Sequence, residues 1–291
     1  ARSTPNGIAE AAAIPDSVKS TYATFTHKPK TQMDVFEVGQ VQGMLSAYDD
    51  ALDAWQSERE EFSALHAEMI NVALTTDVTT VASNNFESLD RVVSSYAEVT
   101  NCGDVDANDA DIYGLDRDAA ATWADATVNH NSNTNRSLTL SLINTLPRDV
   151  FANGGTPKVY LTKHDTYMAW NELLQSNQSY FGEKPYMATY NGVETVAPGY
   201  DGGFAVSTYL GVPVLLSKDV LDDSLGRLYC LDTDYIEFRV LQPTKYYETG
   251  IDISQDIWAN GKVSDKGAYE TIGELVGLGF NRQAKLRDLT T

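Results

Sequence analysis

Residues 44–77 read MLSAYDDALDAWQSEREEFSALHAEMINVALTTD, which is the longest unbroken helical pattern in the chain. The stretch contains no Gly or Pro, and its apolar residues recur at three- and four-residue steps, as they do on one face of an α-helix. The residues of this face are Leu45, Tyr48, Leu52, Trp55, Phe62, Met69 and Ala73. At 1.5 Å per residue the predicted helix would be about 45 Å long. We expect a helix of this length to lie along a sheet or to bridge partners.

The segment that precedes this helix does not have the composition of a compact folded unit. Residues 1–37 contain three prolines and Gly7 among many small polar residues, a composition that buries little apolar surface. Two interpretations stay open: an extended arm that becomes ordered on another subunit, or a flexible tail. Phe36 and Val38 alternate with polar neighbours, which predicts an edge strand immediately before the long helix.

Three shorter helices are predicted after the long one. Asn84 and Glu87 form a capping pair for the first, whose apolar positions predict a buried stripe of Phe86, Leu89, Val92, Val93 and Tyr96. The second spans residues 136–146 and is expected to end at Pro147. The third spans residues 165–174, with Asp165 as its N-cap, and follows a predicted strand at residues 158–162.

The C-terminal third of the chain is dominated by strand patterns. We expect a turn at Gly211 and Pro213 into a buried strand at residues 214–216, then two more strands within DDSLGRLYCLDTDYIEFRVL. Further strands are predicted around residues 245–251 and in the last apolar stretch, with a hairpin centred on Gly261. The whole pattern is α+β, and we expect N- and C-terminal pieces to share one sheet beside the long helix.

Composition limits the classes of function. The chain carries 41 acidic and 21 basic residues, a formal net charge of −20, so its surface repels the phosphates of nucleic acids and sequence-specific DNA binding is not expected. Acidic excess suits a very salty medium, where charges are screened within about 3 Å at 1 M salt; an ordinary acidic protein is the alternative.

The longest apolar runs are too short for a membrane span. Cys102 and Cys230 could form at most one disulfide, and we expect buried thiols.

A metal site is the only cofactor chemistry that the sequence suggests, and the signal is weak. Asp104, Asp106 and Asn108 match the first ligand positions of a calcium loop, but Asp109 stands where Gly is needed and Leu115 where a bidentate Glu is needed. A solvated acidic loop is the favoured interpretation.

Catalytic motifs are missing from the sequence, which contains no GxSxG, P-loop or HExxH pattern. The four histidines, His27, His66, His130 and His164, stand in no catalytic arrangement. We therefore expect no enzyme activity and no cofactor.

Four places resemble the major capsid protein of tailed viruses, whose Hong Kong 97-type shell fold is shared with encapsulins. The long helix looks like the family's spine helix, and FESLDRVVSSYAEV occupies the place of the segment that follows it. The block at residues 141–181 is similar to the helix, strand and helix of the axial domain. TYLGVPVLLSKDVL looks like the family's LLG-x-PVV-x-S strand and turn, followed by RLYCLDTDYIEFRV in the expected place.

The resemblance implies a Hong Kong 97-type capsid fold with three parts. Residues 1–37 would form the N-terminal arm or extended-loop region, residues 38–117 and 246–291 the peripheral domain with its spine helix, and residues 118–245 the axial domain. The chain departs from the family pattern at the front, where 37 residues are few for both a full arm and a full extended loop.

The implied function is self-assembly. Copies would form pentamers and hexamers of an icosahedral viral head that encloses double-stranded DNA without sequence-specific binding, with portal and other head proteins as further partners and no membrane. Assembly would take place in the host cytoplasm, and the acidic composition points to a virus of a haloarchaeal host. An encapsulin-like nanocompartment shell is the alternative.

Overall fold

The structure, a computed structural model, describes residues 24–48, 53–75, 84–102, 111–117, 122–176, 182–185, 189–190, 193–194, 205–220, 226–248 and 264–290. The helices are α1 (Gln40–Tyr48), α2 (Ala54–Thr75), α3 (Leu89–Val92), α4 (Tyr96–Cys102), α5 (Leu140–Ala152) and α6 (His164–Ser176). The strands are β1 (Lys30–Gly39), β2 (Thr127–Asn129), β3 (Val159–Thr162), β4 (Gly182–Pro185), β5 (Thr189–Tyr190), β6 (Val193–Glu194), β7 (Ala205–Tyr209), β8 (Val212–Leu216), β9 (Gly226–Leu231), β10 (Ile236–Glu248), β11 (Ser264–Gly277) and β12 (Ala284–Leu289).

A three-stranded antiparallel sheet joins the two ends of the chain. Its order is β1-β11-β10, so the N-terminal strand lies beside a C-terminal one, with Phe36 opposite Gly267. Helix α2 covers one face of this sheet: Phe36 and Val38 are buried, and Trp55 and Phe62 of the helix pack against them. The predicted edge strand and the predicted sheet shared by distant parts of the chain beside the long helix are both confirmed.

The prediction of one long helix over residues 44–77 is wrong at its start, because helix α2 begins only at Ala54. Asp53 is not helical; its Oδ1 accepts a hydrogen bond from the N–H of Trp55 at 3.1 Å, and its carbonyl accepts one from the N–H of Ser57 at 2.9 Å. An Asp in this position is an N-cap, so it starts a new helix instead of continuing α1. Leu45, predicted on the buried face, is 60% exposed. Residues 49–52 lie outside the described ranges.

A seven-stranded mixed sheet forms the centre of the rest of the chain, in the order β2-β12-β9-β3-β8-β7-β4. Strands β3 and β8 are parallel, as are β12 and β2, and the remaining pairs are antiparallel. Every residue of β9 is buried. Leu228 and Cys230 of β9 belong to the core that contains α5 and α6, whereas Tyr229 and Leu231 belong to the core that contains α3. Strand β9 therefore lies between two apolar layers.

Helix α5 continues through Pro147, although the sequence predicted that it would end there. Proline lacks the backbone N–H of a helical hydrogen bond, which costs roughly 3 kcal/mol inside a helix. Ile143, Leu146 and Val150 are all buried on this helix, and burying each stabilises the fold by roughly 1.5–3 kcal/mol. The apolar contacts on both sides of Pro147 therefore outweigh the lost hydrogen bond.

The predicted capping residues also differ from those observed. Ser88, not Asn84, caps α3 by accepting a hydrogen bond from the N–H of Arg91, and Glu87 is used in ion pairs instead. Helix α6 begins at His164, so Asp165 lies in its first turn and is not its N-cap.

The remaining predictions on secondary structure and cysteines are confirmed in part. The single helix predicted after Asn84 is wrong, because α3 spans only Leu89–Val92 and α4 begins at Tyr96. In the predicted buried strand at residues 214–216 only Val214 is buried, and Leu216 is 46% exposed. The buried stripe holds for Phe86, Leu89, Val92 and Val93, while Tyr96 is half-buried. The turn between β7 and β8 consists of Leu210 and Gly211, both with positive φ, and Pro213 already belongs to β8. The two cysteines are free and buried. The Gly261 hairpin lies outside the described residues.

Candidate functional site: a buried ionic junction and an exposed sheet face

Six charged residues form a network in the interior, which we call the ionic junction: Asp90, Glu98, Arg227, Lys285, Arg287 and Asp288. Each has at most 6% of its surface exposed. Helices α3 and α4 supply Asp90 and Glu98, and strand β9 supplies Arg227. Lys285 and Arg287 are two positions apart on β12, so they point to the same face of the sheet. Three cations and three anions leave the junction neutral.

The distances in the ionic junction are those of direct ion pairs. The Nζ of Lys285 lies 2.9 Å from Oδ1 of Asp90 and 2.7 Å from Oε1 of Glu98, and so links α3 to α4. Nη1 of Arg227 lies 2.6 Å from Oδ2 of Asp90, and Nη1 of Arg287 lies 2.9 Å from Oε1 of Glu98. The hydroxyl of Tyr229 donates a further hydrogen bond to Asp90 at 2.6 Å. The junction therefore ties two helices to two strands.

The electrostatics lower the pKa values of two carboxylates of the junction, Asp90 and Asp288. Burial alone would raise the pKa of Asp90, but Arg227, Lys285 and the Tyr229 hydroxyl outweigh it and hold that pKa well below its usual range. Burial also opposes ionisation of Asp288, yet hydrogen bonds from the backbone of Asn131 and from Arg287 leave its pKa lowered. Groups that do not exchange protons near neutral pH are suited to holding elements together, not to acid–base catalysis.

These shifts predict acid sensitivity. A carboxylate whose folded pKa lies below its unfolded value stabilises the fold above about pH 4, and this stabilisation is lost as the pH falls towards the folded pKa. Glu274 acts in the opposite direction, because burial raises its pKa. Asp90, which faces two cations, is expected to dominate. We predict that the free energy of unfolding, measured by urea titration, falls between about pH 5 and pH 3, and that Asp90→Asn reduces this slope. An equally steep slope in the variant would contradict the prediction.

A further buried cation outside the junction, Arg117, closes the C-terminal end of α3. Its guanidinium donates hydrogen bonds to the carbonyls of Arg91, Val92 and Ala124 at 3.0–3.1 Å and lies over the ring of Phe280. Burial lowers the pKa of Arg117 to about 10, so the group stays charged at neutral pH. It satisfies carbonyls that a short helix leaves without partners.

A polar link also joins α2 to the three-stranded sheet. His66 of α2 is 2% exposed; its Nδ1 lies 2.5 Å from Oδ2 of Asp34 on β1, and its Nε2 lies 2.8 Å from Oγ1 of Thr271 on β11. The sequence analysis assigned the histidines no catalytic role, and this one has a structural position between helix and sheet.

The side of the three-stranded sheet away from α2 is exposed and partly apolar. Successive side chains of a strand point to opposite faces, and Phe36 and Val38 face α2. Met33 and Val35 therefore point away from the helix, and they are 49% and 52% exposed. The residues on this side, which we call the outer sheet face, are Met33, Val35, Glu37, Gln242, Lys245, Tyr247, Lys266, Ala268, Glu270 and Ile272.

The candidate metal ligands Asp104, Asp106 and Asn108 lie outside the described residues. Among the residues that the structure describes, no group of three or more His, Cys, Asp or Glu side chains is placed to hold a metal ion. Among the described residues, no helix is both long enough and apolar enough to cross a membrane.

The ionic junction was not predicted from the sequence. In the strand sequence AKLRDL, Lys285 and Arg287 alternate with apolar residues, which is the usual pattern of a strand with one solvated face. One feature of the sequence could have indicated the junction: three basic residues fall within β9 and β12, although the chain as a whole is strongly acidic. That signal suggests acidic partners but does not identify them.

Comparisons with known proteins identify a matching family model and similar solved structures. The family model described as the SU10 major capsid protein matches residues 24–256, and no curated protein matches the chain. The capsid asymmetric unit of cyanophage A-1(L) is similar in structure, with a TM-score of 0.61 and 15% identity, covering 90% of this chain and 78% of that one.

Two further solved structures have similar folds. The capsid of Myoviridae phage XM1 matches with a TM-score of 0.52 and 9% identity, covering 89% of this chain and 73% of that one. The holo-SrpI encapsulin complex of Synechococcus elongatus PCC 7942 matches with a TM-score of 0.54 and 12% identity, covering 90% and 74%. At these identities the likeness is one of fold alone.

Proposed function

Because the chain belongs to the SU10 major capsid protein family, we propose that its copies assemble as pentamers and hexamers into the icosahedral head of a tailed virus that encloses double-stranded DNA. The family match over residues 24–256 carries this proposal. The fold shared with a cyanophage capsid supports it. The role is structural and not enzymatic, and the protein belongs to the virion.

The proposed architecture is of the Hong Kong 97 type, with α2 as the spine helix. The three-stranded sheet and α2 would belong to the peripheral domain, predicted at residues 38–117 and 246–291. The seven-stranded sheet would belong to the axial domain, predicted at residues 118–245, except for its strand β12, which lies in the peripheral range. The predicted boundary at residue 245 falls within β10, and β12 pairs with β9. The two proposed domains would therefore be continuous along these strands.

The proposed partners follow from assembly and charge. Each copy would contact other copies, and the head would also include a portal and other head proteins, assembled in the host cytoplasm. The enclosed DNA would be held by the closed shell and not by sequence-specific contacts, since a formal charge of −20 repels phosphates. We propose that residues 1–37 include an arm that is ordered on a neighbouring copy and that precedes β1, which contains residues 30–37 of this range.

A halophilic, archaeal host is the second part of this proposal, and it predicts salt-dependent shells. At about 1 M salt the Debye length is about 3 Å, whereas at about 0.01 M it is about 30 Å, so repulsion between copies that each carry −20 extends across any subunit contact at low salt. We expect shells to form in high salt and to dissociate on dialysis into low salt without divalent ions. Sedimentation velocity distinguishes shells from subunits. Shells that stay intact in low salt would contradict a halophilic origin while leaving the capsid assignment in place.

An encapsulin-like shell is a second candidate, favoured by the similarity to the SrpI encapsulin complex. The two functions differ in what the particle encloses and in the neighbouring genes. Nuclease-resistant DNA inside particles from the native source, with portal and terminase genes beside the gene for this chain, is the expected result. Particles filled with a single enzyme would instead establish the encapsulin function.

A further inference from the structure

The outer sheet face has the composition of a protein contact surface. Val35 lies opposite Ala268 on β11, and Ala268 lies opposite Tyr247 on β10, so three apolar side chains form a continuous row across the sheet. Val35 and Tyr247 are 52% and 38% exposed. Met33 extends this apolar surface along β1, with 49% of its surface exposed. A tyrosine and a methionine in such a patch are typical of interface cores.

The charges on the outer sheet face balance, in contrast to those of the whole chain. Lys245 and Lys266 oppose Glu37 and Glu270, so the face is neutral although the chain carries −20. Two copies of such an acidic protein approach with least repulsion where the local charge is zero. In a contact with two-fold symmetry the same patch meets itself, so the lysines of one copy can face the glutamates of the other.

The size of the face indicates what kind of partner it fits. A ten-residue strand is about 33 Å long, and three strands spaced by about 4.8 Å give a width of roughly 14 Å. The face thus offers roughly 480 Å² per copy, about 950 Å² in total, which is less than the roughly 1,200 Å² of a stable pair. A contact of this size holds only when it is repeated within a larger assembly.

From these observations we propose that the outer sheet face packs against the same face of a second copy, with two-fold symmetry, in the assembled particle. This inference rests on the proposed function, since an assembly supplies the additional contacts. Two sheets packed face to face lie about 10 Å apart, and the apolar row of one copy would cover that of the other.

The buried native cysteines make a direct chemical test possible. Cys102 and Cys230 are 5% and 0% exposed, so Val35→Cys introduces an accessible thiol into a chain whose own thiols are shielded. Maleimide labelling of this thiol is compared in free subunits and in assembled particles. A short bismaleimide of about 10 Å span, matched to the spacing of packed sheets, is then applied to the particles. The wild-type chain measures the background from the native thiols.

The expected result is labelling at least tenfold slower in particles than in subunits, together with covalent dimers and no higher multimers. Dimers alone are expected because each copy carries one reactive thiol and meets one partner. Met69→Cys, 39% exposed on α2, is the matched control and should give no dimer with the same reagent. Equal labelling of Cys at position 35 in particles and subunits, or equal dimer yield from the Met69 variant, would overturn the inference and leave the proposed function standing. Absence of particles from the wild-type chain would overturn both.

A second variant tests the energetic role of the same surface. Val35→Asp places carboxylates opposite each other in the two-fold contact, so we expect at least a tenfold rise in the protein concentration needed for assembly. The melting temperature should fall by only a few degrees, because about half of the side chain is exposed and strand propensities differ little between residues. Val35→Thr keeps the shape of the side chain and should assemble nearly as the wild type does. Normal assembly of Val35→Asp would contradict the proposed contact.

Discussion

Replacing Asp90 with alanine is expected to destabilise the folded subunit by about 3–5 kcal/mol, the usual cost of removing one partner from a buried ion pair. The carboxylate of Asp90 accepts contacts from Arg227, Lys285 and Tyr229, all buried. Its loss removes the carboxylate that Arg227 contacts and leaves Lys285 with Glu98, and a buried charge that loses a counter-ion is far more costly than an exposed one. The expected loss is a large part of the total stability of a domain, about 5–15 kcal/mol.

Urea denaturation of dissociated subunits, followed by far-UV circular dichroism, measures this loss. Lys158→Met is the matched control, because it removes an ion pair with Asp234 in which both side chains are exposed. Exposed pairs contribute about 0–1 kcal/mol, so this variant should unfold almost as the wild type does. Similar losses from both variants would show that burial does not determine the strength of the ionic junction.

Replacing Trp170 with alanine is expected to cost about 3–5 kcal/mol, the range for large aromatic side chains removed from a core. Trp170 is fully buried on α6, and its ring meets Tyr160 of β3 edge-on at 5.5 Å and Tyr209 of β7 at 5.0 Å between centroids. The indole therefore joins a helix to two strands of the seven-stranded sheet.

The same denaturation assay tests this prediction against two variants. Trp170→Phe keeps an aromatic ring in the core and should lose clearly less stability than the alanine variant. Trp123→Ala removes a tryptophan that is 41% exposed and should lose less than about 1 kcal/mol, in keeping with surface positions. A mild effect of Trp170→Ala would mean that α6 is not anchored through this ring.

Local sequence patterns predicted the elements that bury one face in a regular period. The alternation at Phe36 and Val38 gave β1, and the period of Trp55 and Phe62 gave α2 beside it. The pattern could not show that Asp53 caps a helix beginning at Ala54, because an Asp is compatible with both a helix surface and a cap. The α5 helix passes Pro147 because of burial that only the tertiary structure supplies.

The ionic junction could not be predicted from the sequence for a different reason. Lys285 lies 195 residues from Asp90 in the chain, and Asp90, Glu98 and Lys285 each alone have the pattern of a solvated residue. Their burial depends on pairing between α3, α4 and β12, which no local pattern encodes. The outer sheet face could not be predicted for the same reason. Val35 and Tyr247 lie on one surface only because β1 and β10 both pair with β11.

The most direct test of self-assembly is electron microscopy of the purified chain in about 1 M salt, where the Debye length of about 3 Å suppresses repulsion between copies. Closed icosahedral shells of uniform diameter, built from pentamers and hexamers, are the predicted result. A homogeneous population of 31.9 kDa monomers under these conditions would contradict it.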